Sequence, residues 1–291
     1  MGLAGATLFN QPHLFATPPK NELTGLQLYS VRDEMHADPM ATLKQVAGIG
    51  YKNVEHAGYG DRKFYGYGAA EFKKILADLG MKMPSGHTVL RKEHWDESKK
   101  DFTDQWKETV EDAAIVGQMF VISPSLEPSL RKNFDDMRRY MDVFNQCGEL
   151  CKKSGMRFGY HNHDFEFSEQ LNGVPLYDLI LKHTDPQLVI QQLDIGNMYN
   201  GGAKALDIMK KFPGRFQSMH VKDEIPSTKN DGEKYESTIL GTGIVPVKEV
   251  IDLGRKSGGT TLYIIEQESY QGKAPIDCMK VDLEKLKKWG Y

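Results

Sequence analysis

The chain has 291 residues, of which 40% are hydrophobic and 26% are charged, and its formal net charge is −3. This apolar content supports a substantial core and argues against intrinsic disorder. No cluster of Lys and Arg offers the positive surface that nucleic acid requires, and no segment reaches the roughly 20 apolar residues of a membrane span. We therefore expect a folded protein without a nucleic-acid partner and without a membrane span.

The first part of the chain differs in composition from the rest. The stretch "GLAGATLFNQPHLFATPP" is small, apolar and almost uncharged, and a charged segment follows from Lys20. It is similar to the apolar part of a secretion signal that ends near Ala16, although the basic segment that should precede it is missing. We expect residues 1–23 to be a leader or the remnant of an export signal, which favours a periplasmic or exported protein over a cytoplasmic one. A flexible leader is the alternative.

From residue 24 onwards, short β-rich runs alternate with amphipathic helical patterns. The candidate strands lie at 24–31, 52–57, 82–87, 119–124, 156–162, 188–194, 216–221 and 262–267. The clearest helix starts after Asn133, a plausible N-cap, and ends at Gly155, and the last begins at Pro275. Eight such alternations predict an α/β fold, a single (β/α)8 TIM barrel over residues 24–291. An open doubly wound sheet is the alternative, but no G-x-G-x-x-G turn follows the first strand.

Polar side chains collect at the predicted strand ends, where the chemistry of such barrels takes place. Strands five to eight end, in order, with an imidazole, a carboxylate, an imidazole and a carboxylate: His161, Asp194, His220 and Glu266. A mixed nitrogen and oxygen set suits Mn, Co, Zn or Fe better than Ca or Mg. We therefore predict one divalent metal ion as the cofactor, bound by these four residues.

Each of these residues also has a reading without a metal. Asp194 could cap the turn that follows it, and His220 could form a hydrogen bond inside the barrel mouth. His161 could support a ligand rather than be one. Glu266 follows the apolar run "YII", so it needs a positive partner, and a metal ion would supply one.

Several motifs together resemble one protein family. They are "GLQLYSVRD", "GYHNHDFEF", "LDIGN", "HVKD", "GTGIVPVKEVI" and "IIEQE". In this order, over residues 24–290, they are similar to the xylose-isomerase-like TIM barrel superfamily, whose members are usually labelled sugar phosphate isomerase/epimerase. The resemblance implies one divalent metal held by a Glu, an Asp, a His and a Glu on strands five to eight. Asp194, His220 and Glu266 match the last three.

The chain departs from that pattern at strand five. The family often has Glu-Asn-His there, whereas this chain has His161-Asn162-His163, which resembles the inosose-dehydratase-like branch. Asn197 stands where many relatives have a His. The resemblance then implies His161 as the fourth ligand and leaves the usual pair of metal-bound glutamates incomplete.

The expected chemistry is proton abstraction next to the carbonyl of a small sugar or keto sugar. We expect Glu266 to be the base, with His163 as the second candidate, and Lys222 to stabilise negative charge on oxygen. Three further residues are expected to bind the sugar: Glu55, His87 and Asn197.

Three outcomes stay open at this point. A metal-dependent isomerase or epimerase is favoured by the family labels. The alternative is a metal-dependent lyase or dehydratase that acts by β-elimination on a keto sugar or 3-keto glycoside, because His161 replaces a glutamate. A non-catalytic sugar-binding protein is more distant. The long polar segment 224–243 predicts a lid or a subunit contact, so a homo-oligomer also stays open.

Overall fold

The computed structural model describes residues 24–228 and 233–291, and in them eight parallel strands close into one barrel. The strands are β1 (Thr24–Gln27), β2 (Asn53–His56), β3 (Lys82–His87), β4 (Phe120–Ser123), β5 (Arg157–His161), β6 (Val189–Asp194), β7 (Ser218–Val221) and β8 (Leu262–Ile265). The predicted barrel is confirmed, and the open sheet is excluded because β1 pairs with both β2 and β8. The predicted leader, residues 1–23, lies outside the described residues.

Helices surround the barrel and follow the strands in the expected alternation. They are α1 (Arg32–Ala37), α2 (Pro39–Ile49), α3 (Ala69–Asp78), α4 (Asp104–Val116), α5 (Phe134–Lys153), α6 (Phe165–Ser168), α7 (Leu176–His183), α8 (Ile195–Asn200), α9 (Ala205–Lys211), α10 (Val247–Leu253) and α11 (Pro275–Lys288). The Asn133 side chain accepts a hydrogen bond from the backbone N–H of Asp136 and caps α5 as predicted. Pro275 occupies the first turn of α11. Among the described residues, no helix has the length and apolar character that crossing a membrane demands.

Apolar side chains fill the inside of the barrel. Besides the main core between barrel and helices, a separate buried cluster consists of Phe120, Ile122, Ile190, Leu262 and Ile264. Gly159 on β5 makes room for it, because a Cβ there would lie 2.5 Å from the Ile122 Cδ1 atom. The barrel is therefore packed rather than open, and its polar chemistry is confined to one end.

In the described part of the chain, four of the loops that leave this end carry short strands of their own, namely the loops after β2, β3, β5 and β7. After β2, short antiparallel strands form at Tyr59–Gly60, Lys63–Phe64 and Tyr67–Gly68. After β7, Asp223–Pro226 pairs with Tyr235–Thr238. This hairpin belongs to the segment predicted as a lid or subunit contact, of which residues 229–232 lie outside the described residues, so that role stays a prediction.

Candidate metal centre

Three of the predicted ligands come together at the carboxyl ends of neighbouring strands. Asp194 ends β6 and pairs in register with His220 of β7, and Glu266 directly follows β8. One possible ligand atom from each of the three side chains lies within 4.8 Å of the other two, and all three side chains are buried. The parallel order of β6, β7 and β8 produces this convergence.

The two carboxylate oxygens of Asp194 have different surroundings. Oδ1 accepts hydrogen bonds from the backbone N–H groups of Gly196 (2.9 Å) and Asn197 (2.7 Å) and so caps α8. Oδ2 is buried, lies 3.7 Å from His220 Nδ1 and accepts no well-aligned hydrogen bond from the described residues. The capping role and a ligand role are therefore compatible, because each uses its own oxygen.

Lys222 supplies the positive charge beside these carboxylates. Its side chain is fully buried, and Nζ lies 2.8 Å from Glu266 Oε2, 3.1 Å from Asp194 Oδ2 and 3.3 Å from Glu268 Oε2. Burial alone would lower the pKa of Lys222, but Asp194 and Glu266 outweigh it and raise this pKa well above its ordinary value. Burial likewise opposes ionisation of Glu266, yet Lys222 and His220 hold its pKa well below the usual range. We call Asp194, His220, Lys222, Glu266 and Glu268 the ionic side of the site.

His220 has a carboxylate at each ring nitrogen. Nδ1 lies 3.0 Å from Glu266 Oε2, and Nε2 lies 2.6 Å from Glu55 Oε1. Burial opposes a charge on the ring, but Glu266 and Glu55 raise the pKa of His220 well above its ordinary value in the metal-free protein. A metal ion bound at Nδ1 would displace a proton from that atom.

Glu55 lies beneath His220 rather than in the cleft where sugar binding was predicted for it. Its side chain is fully buried and is absent from the residues that line the cleft. Its carboxylate accepts hydrogen bonds from Gln27 Nε2 (2.8 Å), Gln192 Nε2 (2.7 Å) and the Ser85 hydroxyl. The structure thus places Glu55 in contact with the predicted metal ligand His220, and its contact with a sugar stays a prediction.

The opposite part of the site consists of imidazoles, and we call His87, His161 and His163 the imidazole side. The His161 ring centroid lies 4.8 Å from that of His87, 5.2 Å from that of His163 and 4.6 Å from that of His220. Burial, together with the rings of His220 and His87, lowers the pKa of His161 well below its ordinary value. His161 forms a second possible ligand group with His87 and His220 but is not part of the group of Asp194, His220 and Glu266. Its place as a metal ligand stays a prediction.

His163 lines the cleft, and one nitrogen of its ring is unpaired among the described residues. Its Nδ1 is buried and has no hydrogen-bond partner among the described residues, and burial lowers the pKa of the ring. Its backbone N–H donates to Glu166 Oε2 at 2.9 Å, and the Tyr160 hydroxyl donates to the other oxygen of that carboxylate. Burial raises the pKa of Glu166 to about 8.

Sequence reasoning missed two polar residues that support the site, Gln192 and Glu166. A signal for Gln192 was present, because it lies two positions before Asp194 on a strand and must share its face. Glu166 follows His163 by three positions, on the turn that leads into α6. Nothing in that spacing distinguishes a buried carboxyl from a solvated one.

A cleft of about 880 Å³ opens above these residues. Its lining includes His87, His161, His163, Asn197, Glu266 and Glu268 from the site, and also Tyr29, Tyr59, Arg62, Arg91 and His94. Asn197 Oδ1 also accepts a hydrogen bond from Lys222 Nζ at 3.3 Å. Of the residues predicted to bind sugar, His87 and Asn197 therefore reach the cleft.

The donor set fits a divalent metal ion. Asp194 Oδ2 is a buried carboxylate oxygen without a well-aligned donor, and it faces an imidazole nitrogen and a second carboxylate. Oxygen and nitrogen donors of this mixture suit Mn, Co, Zn or Fe. Asp194, His220 and Glu266 therefore make up a possible metal site, and the geometry does not select the metal.

Comparison with known proteins gives enzymes among the relatives. Inosose dehydratase of Clostridium perfringens is 28% identical over 153 residues, which cover 48% of this chain and 50% of that protein. The chain thus spans about half the length of this curated relative. A sugar phosphate isomerase/epimerase from Parabacteroides distasonis is 26% identical, with a TM-score of 0.78 and coverage of 94% of this chain and 95% of that one.

A third similarity concerns the fold alone. The probable 3-DHS dehydratase involved in petrobactin synthesis from Bacillus anthracis is 15% identical, with a TM-score of 0.69 and coverage of 91% of this chain and 98% of that one.

The profile of the xylose isomerase-like TIM barrel family matches residues 43–289, which contain β2 to β8 and every residue of the possible metal site. By this match and by its closed barrel, the chain belongs to the xylose isomerase-like TIM barrel family.

Proposed function

We propose that this protein is a divalent-metal-dependent enzyme that removes a proton next to the carbonyl of a small keto sugar and completes the reaction by β-elimination. The observation that carries this proposal is the difference between the two sides of the site. The ionic side keeps Glu266 ionised beside Lys222, whereas the imidazole side presents the neutral ring of His163 to the cleft. The site therefore offers one strong candidate for proton transfer near neutral pH.

Asp194, His220 and Glu266 would hold the metal ion, with His161 next to them. When bound, the ion would supply a Lewis acid that polarises the substrate carbonyl. Lys222 neutralises the negative charge that Asp194 and Glu266 concentrate in a buried place. Its high pKa makes it a weak acid, so its contribution is electrostatic rather than proton donation.

His163 is a better base than Glu266, the residue that sequence reasoning ranked first. A general base works best when its pKa lies near the working pH. The pKa of Glu266 is held well below its usual range, despite burial, by Lys222 and His220. His163 has a neutral ring that lines the cleft, and its Nδ1 atom has no hydrogen-bond partner among the described residues.

One residue can serve both halves of an elimination. His163 takes the proton from the carbon next to the carbonyl, and the electrons of that C–H bond form a C=C bond as the bond to the β-oxygen breaks. The imidazolium then returns its proton to the departing oxygen, which leaves as water or as an alcohol. His87 and Asn197 line the same cleft as His163 and are placed to hold sugar hydroxyls.

Isomerisation or epimerisation is the second candidate. Glu266 and His163 reach the cleft from different strands, β8 and β5, as two separate proton acceptors would. The 26% identical structure is titled a sugar phosphate isomerase/epimerase. This route requires Glu266 to accept a proton, which its pairing with Lys222 opposes.

Incubation in deuterated water separates the two outcomes. Purified protein loaded with Mn, Co or Zn is mixed with inososes, free keto sugars and 3-keto glycosides, and the products are analysed by mass spectrometry. Elimination gives an unsaturated product with loss of water or of the aglycone. Deuterium gained without such loss indicates isomerisation or epimerisation. If no metal led to deuterium incorporation or to loss of a leaving group, both candidate reactions would be contradicted.

A further inference from the structure

We propose that Glu55, acting partly through Gln192, fixes a proton on a defined ring nitrogen of three histidines of the site: Nε2 of His87, Nδ1 of His161 and Nε2 of His220. Glu55 is then a positioning residue, because it does not line the cleft and belongs to neither possible group of metal ligands. The importance of this role for catalysis rests on the proposed metal-dependent function, whereas the proton positions themselves do not.

The neighbours of Glu55 donate hydrogen bonds to its carboxylate. Gln27 accepts the backbone N–H of Tyr29 with its Oε1 atom (3.1 Å), so its Nε2 atom faces Glu55 Oε1 at 2.8 Å. The hydroxyl of Ser85 donates to Oε2. A carboxylate can only accept, so each neighbour of Glu55 must present a hydrogen to it.

Glu55 fixes the orientation of the Gln192 side-chain amide. Its Nε2 atom lies 2.7 Å from Glu55 Oε2 and 3.1 Å from Ser218 Oγ. The opposite amide orientation would place two acceptor oxygens against each other in a fully buried position, which is unfavourable. The Oε1 atom of Gln192 therefore points away from Glu55, towards the histidines.

The acceptor oxygens of Gln192 and Glu55 determine which histidine nitrogens carry hydrogen. Gln192 Oε1 lies 2.6 Å from His87 Nε2 and 3.1 Å from His161 Nδ1, and since it can only accept, both nitrogens carry hydrogen. His220 Nε2, 2.6 Å from Glu55 Oε1, carries hydrogen for the same reason. Lone pairs are left on His87 Nδ1 and His161 Nε2, whereas the second ring nitrogen of His220, Nδ1, carries the proton that a metal ion would displace. For His220 this is the atom that faces Glu266 and Asp194.

Fixed ring orientation is what a metal ligand gains from such a partner, because the nitrogen that binds must be free of hydrogen. One buried carboxylate thereby prepares His220 for the metal and leaves His161 with its Nε2 free. The same arrangement explains why three imidazoles share a small volume without opposing one another, since two of them donate to a single amide oxygen.

The test is a two-bond ¹H–¹⁵N correlation spectrum of the metal-free full chain labelled with ¹⁵N-histidine, near neutral pH, assigned with single His→Gln variants. We expect His161 as the Nδ1–H tautomer and His87 as the Nε2–H tautomer. Glu55→Gln should mix both tautomers, and Gln192→Leu should release His161 while His87 keeps Glu55, 3.1 Å from its Nε2. Glu166→Gln is the matched control, a buried carboxyl that contacts the backbone of His163, and should leave both tautomers unchanged.

Zinc titration gives the second readout. Glu55→Gln should weaken Zn²⁺ binding about 10–100-fold relative to the wild type, the range found for partners of metal-bound histidines. A wild type that binds no Zn²⁺ would contradict the proposed function but not the tautomers. His161 as the Nε2–H tautomer in the wild type, or unchanged tautomers in Glu55→Gln, would overturn the inference. If Glu55→Gln does not fold, Gln192→Leu alone tests it.

Discussion

Buried groups of the ionic side and of the imidazole side respond to burial in opposite ways. On the ionic side, Lys222 lies within 3.1 Å of Asp194 and Glu266, and the charged forms stabilise one another. On the imidazole side, His161 and His163 have no ion-pair partner in the part of the chain that the structure describes, and burial lowers the pKa of each ring. The neighbours of a group, rather than its depth, decide whether it is charged.

In the proposed function, this difference separates metal binding from proton transfer within one cleft. A charged, balanced cluster attracts and holds a cation, since its carboxylates keep their negative charge near neutral pH. Neutral imidazoles exchange protons in the same pH range. Four experiments test this division, in order of decreasing expected effect.

The imidazole side is tested first through His163. We expect His163→Gln to lower turnover about 10²–10⁴-fold on the keto sugar that the deuterium experiment identifies, because it removes the proposed base and returning acid. Metal content, measured by elemental analysis, should stay at the wild-type level. His36→Gln, at an exposed histidine outside the cleft, is the control and should keep full turnover. A fully active His163→Gln variant would return proton abstraction to Glu266.

The charge balance of the ionic side is tested by Lys222→Met. Removing one partner of a buried ion pair leaves uncompensated charge, so we expect the free energy of unfolding of the metal-free protein to fall by about 3–5 kcal/mol near neutral pH. Urea denaturation with a chelator present measures this loss, and added Zn²⁺ should recover part of it. Lys248→Met, which breaks a surface pair with Asp252, should change stability by no more than about 1 kcal/mol. If Lys222→Met and Lys248→Met lowered the free energy of unfolding equally, Lys222 would not balance the charge of the buried carboxylates.

Metal binding itself is tested by Asp194→Asn. The Asn oxygen can still cap α8, so the variant removes mainly the carboxylate charge at Oδ2. We expect metal affinity to fall by at least about 100-fold, the upper end for loss of a mere supporting partner, as measured by competition with a chromogenic chelator. Asp178→Asn, at a buried carboxylate paired with Lys211, is the control. Unchanged affinity in Asp194→Asn would remove this residue from the metal site.

The smallest effect concerns a buried carboxyl without a close cation. Asp282 accepts a hydrogen bond from the backbone N–H of Leu240 at 2.8 Å, and burial raises its pKa from 3.8 to about 7. The pKa of Asp194 shifts in the opposite direction, because Lys222 and His220 lower it although burial opposes this. Because the folded pKa of Asp282 is the higher one, its contribution to stability is complete below about pH 4 and is lost as the pH rises towards 7. Between pH 5 and 7 the wild type should lose about 2 kcal/mol more than Asp282→Asn, by urea denaturation. Parallel pH profiles would show that Asp282 is ionised when folded.

Much of the fold follows from local patterns in the chain. Eight β-rich runs that alternate with amphipathic segments leave few arrangements other than parallel strands with helical crossovers, and all eight predicted strands are present. The boundaries were less accurate, because strand β1 ends at Gln27 and Leu28–Val31 forms a 3-10 helix that propensity does not distinguish. The meeting of Asp194, His220 and Glu266 was also predictable, since the carboxyl ends of neighbouring parallel strands lie at the same edge.

The sequence by itself thus determined the barrel and the residue types at its mouth. Only the tertiary structure decided what each of them contacts. Glu55 and His220 are 165 positions apart on strands that are not neighbours, and barrel closure brings them within 2.6 Å across the interior. Whether Glu266 is a base or a charged ligand depends likewise on Lys222, 2.8 Å away. Local pattern specifies which face a side chain occupies, but charge and proton position depend on distances of a few ångströms that exist only after the barrel closes.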